Sequence, residues 1–485
     1  MNRRRFLYGG TSAAVWAMLP TGARAQGLAT GTASASLTVL SETTGKVIPS
    51  GFTGLSYESA QLSHPGFFSA ENSKLIGLFR RLGPRGVLRI GGGTSEFTMW
   101  TPDGVQSGAQ DIINVGPDVG AAKRNTVVTP LAIQNLAGFL DAAGWDLIYG
   151  LNLGHGTAER AAEEAAFVTK CIGSRLIALQ IGNEPDGYSK HGLRPPDWGY
   201  QDYVKQWKDW AQAIQKRVPG VHLAGPDVAS KTDWVEEFAK QAGDDIVLLT
   251  SHYYAEGPPT DPRMNIDFLL KPHPGLQDKF QHLVQAATEA NIPYRLSEGN
   301  TCYHGGKKGV SNVFAAALWG ADFMFLLAEC GVNGIKFHGG GTGNYTPIAS
   351  SELTDFTARP IYYGMLLFSY FADSTLLPVT LDAGGANLTA YAARNKQNKL
   401  RVALINRDLQ RPVTATISSD FDRGKARVLS LSAPSVESTI GVTLGGSEVT
   451  PDGMWKPTRQ EDIHVQNGAM RIDVPVASAA LVLFE

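Results

Sequence analysis

The sequence predicts an α/β fold, a (β/α)8 barrel, followed by a C-terminal β-sandwich that also takes in the N-terminal strand. Two observations carry this. From about residue 50 to 373, short apolar runs alternate with stretches of helical length, eight times over. After about residue 374 the helical period is lost, and short strand-like runs are separated by turns such as Gly384-Gly385, Asn395-Lys396, Gly445-Gly446 and Pro451-Asp452-Gly453.

The strand-like runs of the first part are Thr53–Tyr57, Val87–Ile90, Asp146–Leu151, Leu176–Ile181, Val221–Gly225, Ile246–Tyr253, Pro293–Leu296 and Gly334–Phe337. The helical stretches are Glu71–Leu82, Pro130–Ala143, Thr157–Ile172, Tyr200–Val218, Lys231–Gln241, Gln277–Ala290, Ser311–Glu329 and Ala358–Phe371. Tyr200–Val218 shows the helical period well, with Tyr203, Trp207, Trp210, Ala211 and Ile214 on one face. In the second part, Leu388–Arg394, Leu400–Asn406, Val413–Ser418, Arg427–Leu431, Met470–Val474 and Ala479–Phe484 read as strands. Ala35–Leu40 is also strand-like and is expected to join the same sandwich. The expected division is an export signal over 1–25, the N-terminal strand within 26–48, the barrel over 49–374 and the sandwich over 375–485.

Composition narrows the class. The chain has 485 residues, 43% hydrophobic and 18% charged, with a formal net charge of −2. That is globular, with no footprint for nucleic acid or a long sulfated polyanion. Asn2-Arg3-Arg4-Arg5-Phe6-Leu7, the apolar stretch Thr11–Leu19 and Ala23-Arg24-Ala25 have the form of a twin-arginine export signal with its cleavage site. A periplasmic or secreted bacterial protein is expected, with no membrane span after cleavage. Cys171, Cys302 and Cys330 make no disulfide framework, and no Cys/His cluster has zinc spacing. No metal and no cofactor is expected.

A barrel of this kind carries its active site at the C-terminal ends of its strands. The fourth strand ends in Gln180-Ile181-Gly182-Asn183-Glu184-Pro185-Asp186, and the seventh in Arg295-Leu296-Ser297-Glu298-Gly299-Asn300. Two carboxylates on one rim can face each other across a glycosidic bond. Glycoside hydrolysis needs such a pair: one carboxyl holds a proton for the leaving oxygen, and the other is ionised. Asn183, beside Glu184, is placed to hydrogen-bond a sugar 2-hydroxyl.

Four stretches match a known family: Val87-Leu88-Arg89-Ile90-Gly91-Gly92-Gly93-Thr94, Gln180 to Pro185, Leu296-Ser297-Glu298-Gly299-Asn300-Thr301, and Tyr303-His304-Gly305-Gly306. With them the chain resembles glycoside hydrolase family 79, the heparanases and microbial β-glucuronidases, over nearly all of its mature length. The resemblance implies that Glu184 is the acid/base, Glu298 the nucleophile, and the reaction retaining. It also implies that Tyr303, Gly305 and Tyr345 hold the carboxylate of a uronic acid. The residues allow this, since amides around Gly305 and Gly306 can form an anion-binding nest and a phenol can donate. The plainer reading of the same residues is turns and packing, with Lys307 and Lys308 as solvated loop charges. Further rim candidates are Glu58 for sugar hydroxyls, Gly92 and Gly93 for close approach of the sugar, and Tyr254 to orient the nucleophile. His252 reads equally as a structural or a site histidine.

Heparanases flank their cleft with basic residues, and no comparable cluster occurs here. The expected activity is therefore an exo-acting β-glucuronidase on a glucuronide or glucuronic-acid-containing glycan. Loops such as Gly257-Pro258-Pro259-Thr260-Asp261-Pro262 are expected to wall off the far side. The alternatives are a retaining α-L-arabinofuranosidase or β-xylosidase, an endo-β-glucuronidase, and a non-catalytic carbohydrate-binding barrel.

Overall fold

The computed structural model describes residues 31–104, 126–352, 354–419, 424–465 and 468–485. The export signal and cleavage site read at residues 2–25 lie outside them. Eight parallel strands close a barrel: Thr53–Glu58, Val87–Gly91, Asp146–Leu151, Leu176–Ile181, Leu223–Val228, Leu248–Glu256, Tyr294–Cys302 and Ile335–Gly339. Each pairs with the next, and the eighth returns to the first, Ile335 to Gly339 lying against Thr53 to Tyr57.

Three strands run three or more residues past their expected ends. The fifth starts at Leu223 and reaches Val228, the sixth reaches Glu256, and the seventh reaches Cys302 rather than Leu296. The added residues of the seventh, Ser297 to Cys302, are mostly polar or glycine. They give no apolar-run signal, yet they pair along the sixth strand, Glu298 opposite His252 and Asn300 opposite Tyr254. Their polarity is the polarity of the barrel mouth.

The helices pack around the strands. Pro130–Ala143 shows how local sequence sets their ends. The Thr129 hydroxyl accepts from the Ala132 amide, Pro130 opens the first turn, and Gly144 closes the helix in the left-handed region at φ 78°. Phe314–Cys330 and Pro360–Ser369 are apolar almost all round, because they are covered on both sides. Inside lies the barrel, and outside lies a sheet of the sandwich.

That sheet runs Val47–Ile48, Ser374–Leu377, Leu388–Arg394, Leu400–Asn406, Ser478–Phe484, Lys425–Ser432, Thr443–Leu444, with Glu461–His464 paired on Lys425–Ser432. The facing sheet runs Val379–Asp382, Ala33–Val39, Val413–Ser419, Ala469–Val474. The N-terminal strand thus lies inside it, parallel to Val413–Ser419. Leu400, Val402 and Leu404 point into the sandwich core with Leu37, Val39 and Ile472, whereas Ala403 and Ile405 on the opposite face join the barrel core. Tyr391 stacks on Phe325 with ring centroids 4.5 Å apart, its hydroxyl donates to Asp322 at 2.8 Å, and Arg407 pairs with Asp322 at 2.8 Å. The sandwich buttresses the helices behind the seventh and eighth barrel strands. The unread strands Val379–Asp382 and Glu461–His464 are short and mostly exposed, so neither shows a clean alternation.

Candidate active site

The site grows from one buried cation. Arg89 lies on the second barrel strand between Leu88 and Ile90, and strand alternation turns it into the barrel. It is fully buried. Its Nη1 donates to Glu298 Oε2 at 2.7 Å and Ser56 Oγ at 3.2 Å, and its Nη2 to Asn183 Oδ1 at 2.7 Å and Asp227 Oδ2 at 2.6 Å. Nε donates to Gln180 Oε1 at 3.2 Å. Gly91 makes room: a Cβ there would sit 2.3 Å from the guanidinium carbon. Burial disfavours the charge, but Asp227, Glu298 and Glu58 outweigh it and raise its pKa.

Glu298, on the seventh strand, also accepts from Tyr254 Oη at 2.7 Å and has His338 Nδ1 at 3.5 Å. Burial pushes its carboxyl up, yet His338, His252, Arg89 and the Tyr254 hydroxyl together hold it well below the usual carboxylate range. It is ionised at neutral pH. Tyr254 thus lies in direct hydrogen-bond contact with Glu298.

Glu184 follows the fourth strand in the left-handed region, φ 51°, ψ 50°. A non-glycine residue there costs roughly 1–3 kcal/mol unless its surroundings impose it. Here they do. The Glu184 amide donates to Asp227 O at 2.9 Å. Asp186 accepts from the amides of Ala229, Ser230 and Lys231 at 2.8, 3.0 and 3.1 Å. Trp198 Nε1 donates to Pro185 O at 3.0 Å. Behind the loop, the buried Glu96 carboxylate accepts from the amides of Asn183 and Gly154 and from Tyr188 Oη. Burial raises Glu96 to about 7 despite those hydrogen bonds. The Glu184 side chain stays 24% exposed, toward the cavity.

His252, on the sixth strand, joins the two carboxyls. Nδ1 lies 2.9 Å from Glu184 Oε1 and 3.8 Å from Glu298 Oε1, and Nε2 lies 3.1 Å from Asp227 Oδ1, a close ionic contact rather than a well-aligned hydrogen bond. One oxygen of Glu184, one of Glu298 and a ring nitrogen of His252 all fall within 4.8 Å of one another. Asp227 is held well below the usual range: burial raises it, but His252, Arg89 and the Ser297 hydroxyl prevail.

The rest of the rim is divided. Glu58 accepts from the Thr94 amide at 2.8 Å and the Thr94 hydroxyl at 2.6 Å, and lies 3.3 Å from His338 Nε2. Gly92, at φ 72°, leaves room for the Glu58 carboxylate, which a Cβ would meet at 2.5 Å, so its small size serves Glu58. Gly93 lines the cavity and faces open space. Tyr254, Tyr303 and Tyr345 cluster, with ring centroids 6.4 Å (Tyr254 to Tyr303) and 5.9 Å (Tyr254 to Tyr345) apart. The carbonyls of Gly305 and Gly306 accept from the Asn344 amide and side chain, tying the seventh and eighth strand loops together. Lys307 donates to Asp261 O at 2.8 Å, and Lys308 is exposed. Glu58, Gly93, Thr94, Asn183, Glu184, Tyr254, Glu298, Tyr303, His338 and Tyr345 all face one cavity of about 1010 Å³.

Arg89, Asp227, Glu96 and His338 were missed as site residues. Arg89 left a readable signal, since a charge inside a buried parallel strand demands partners.

A model of the family 79 glycosyl hydrolase C-terminal β domain matches residues 390–481. A β-glucuronidase of Aspergillus niger is 27% identical over 490 residues, covering 87% of each chain. A β-glucuronidase of Neurospora crassa is 26% identical over 394 residues, 71% of this chain and 68% of that one. The solved 4-O-α-L-rhamnosyl-β-D-glucuronidase of Fusarium oxysporum superposes with a TM-score of 0.72 at 18% identity, over 92% of this chain and 100% of its own. With its closed barrel, its paired carboxyls and its sandwich, the chain is similar to the glycosyl hydrolases of family 79, whose C-terminal β domain it matches, and to these β-glucuronidases over most of its length.

Proposed function

We propose that this protein is a retaining, exo-acting β-glucuronidase with Glu184 as acid/base and Glu298 as nucleophile. The carrying observation is the spacing of their oxygens, within 4.8 Å. Retaining enzymes hold the pair about 5–5.5 Å apart, whereas inverting ones need roughly 6.5–9.5 Å for an intervening water. In the first step Glu298 attacks the anomeric carbon while Glu184 gives its proton to the leaving oxygen. In the second, Glu184 takes a proton from water, the hydroxide attacks the same carbon, and the ester to Glu298 breaks. His252 binds Glu184 Oε1, which leaves Oε2 for the transferred proton.

Glucuronate is favoured by the names of the fungal relatives and by the rim. Tyr303, Tyr345 and the Gly305 amide are the groups proposed to take the C6 carboxylate, with Glu58, Asn183 and the Gly93 backbone on the hydroxyls. The exo reading is supported by a wall. Gly257 packs against the Tyr303 ring, where a Cβ would come within 2.6 Å, and Lys307 fastens the same loop at Asp261. The cavity lies at the top of the usual range for ligand sites, about 300–1,000 Å³, so it has room for an aglycone as well as the sugar. Export rests on the twin-arginine-like start. Among the described residues, no helix is long and apolar enough to cross a membrane.

Aryl β-D-glucuronide, β-D-glucoside, β-D-xyloside and α-L-arabinofuranoside compared side by side test the sugar. The glucuronide should lead in kcat/KM. Tyr303→Phe should cut that lead about tenfold or more, the loss of one hydrogen bond to a charged group at roughly 1.5–3 kcal/mol. Turnover of a neutral glycoside that ignores Tyr303→Phe would replace glucuronate with that sugar. Internal cleavage of a glycan with no free uronate would refute the exo reading.

A further inference from the structure

Every polar contact of the buried His252 ring described above is to a carboxyl group. Asp227, on the fifth strand, holds it from behind and is itself held by Arg89 and Ser297. In front, Nδ1 faces the gap between Glu184 and Glu298, 2.9 Å from one and 3.8 Å from the other. Arg89 and His338 face Glu298 from the remaining sides.

The two-step reaction moves one negative charge across this gap. As the bond from Glu298 to the anomeric carbon forms, Glu298 loses its charge. As the glycosidic bond breaks, Glu184 yields its proton to the leaving oxygen and gains one. Hydrolysis of the ester reverses both changes.

We propose that His252, oriented by Asp227, is a positioning residue that stabilises the negative charge as it passes from Glu298 to Glu184 and back. The ring keeps its own proton throughout. This rests on the assignment of Glu184 and Glu298 above. Because Nδ1 is nearer Glu184, the stabilisation is greatest when the acid has given up its proton, which a poor leaving group requires. Burial works against a protonated ring, but Asp227 and then Glu298 hold its pKa well above the ordinary histidine value.

The sign of the pH effect follows. Removing the imidazolium makes Glu298 easier to protonate, so the acid limb of the kcat/KM profile moves to higher pH.

The test is His252→Gln, Asp227→Asn and the double variant in the full chain, on two aryl glycosides of whichever sugar the wild type hydrolyses. One carries a dinitrophenyl leaving group that needs no proton, the other a phenyl group that does. His252→Gln should lower kcat/KM on the phenyl substrate about 10–100-fold, and on the dinitrophenyl substrate only a few-fold. The acid limb should rise by about one unit. Asp227→Asn should act in the same direction, and the double variant should be little worse than the worse single. Equal losses on both substrates with an unmoved acid limb would overturn the proposal and leave His252 a structural residue. Thermal melts accompany each variant, and should His252→Gln unfold at the assay temperature, Asp227→Asn decides by the same leaving-group contrast and acid limb. Failure of the sugar assignment appears separately, as wild-type preference for a neutral glycoside. Failure of the acid assignment appears as Glu184→Gln sparing the phenyl substrate.

Discussion

Glu298→Gln should lower turnover of an aryl β-D-glucuronide by about 10⁴-fold or more. The substitution keeps the shape of the side chain but removes the carboxylate proposed as the nucleophile. Glu298 accepts from Tyr254 on one oxygen and from Arg89 on the other. A glutamine amide has one acceptor, so its NH₂ must face one of those donors. That unmet contact adds a stability loss of about 1–3 kcal/mol. The kinetic effect is far larger than this structural one, and a melt measured on the same preparation separates them. Turnover within tenfold of wild type would remove Glu298 from the role of nucleophile.

Arg89→Met should be among the most destabilising single changes in the barrel. It leaves Asp227 and Glu298 buried without their shared guanidinium, and removing one partner of a buried ion pair costs about 3–5 kcal/mol. His252 and His338 still face those carboxylates, which places the loss toward the lower end. Arg89→Lys should recover only part of it, because an ammonium lacks the planar fork that reaches Ser56, Gln180, Asn183, Asp227 and Glu298 together. Denaturant midpoints of the three proteins measure this. A Met variant as stable as wild type would mean that the histidines alone neutralise the cluster. Activity should fall too, since both Glu298 and Asn183 take their orientation from Arg89.

What could be read from the sequence follows from what leaves a periodic trace. The barrel was legible because each strand presents an apolar run and each helix an apolar stripe. Glu184 and Glu298 were legible because a carboxylate directly after such a run stands at the rim. Asp227 was not, because the fifth strand seemed to stop at Gly225, before the residues that carry it into the barrel. The pairing of Arg89, Asp227, His252 and Glu298 depends on register around a closed barrel, brought together from residues up to 209 positions apart. Glu96 works from behind the fourth-strand loop and belongs to no strand at all. Gly92 was read as a place for sugar, whereas its missing side chain accommodates Glu58. In each case the sequence carried the residue, and only the closed barrel supplied its partner.

The configuration of the first-formed product tests the central claim most directly. With an aryl β-D-glucuronide followed by proton NMR, Glu184 and Glu298 at their observed spacing predict that the β anomer of glucuronic acid appears first and then mutarotates. First appearance of the α anomer would contradict double displacement through Glu298, and with it the roles given to both carboxylates.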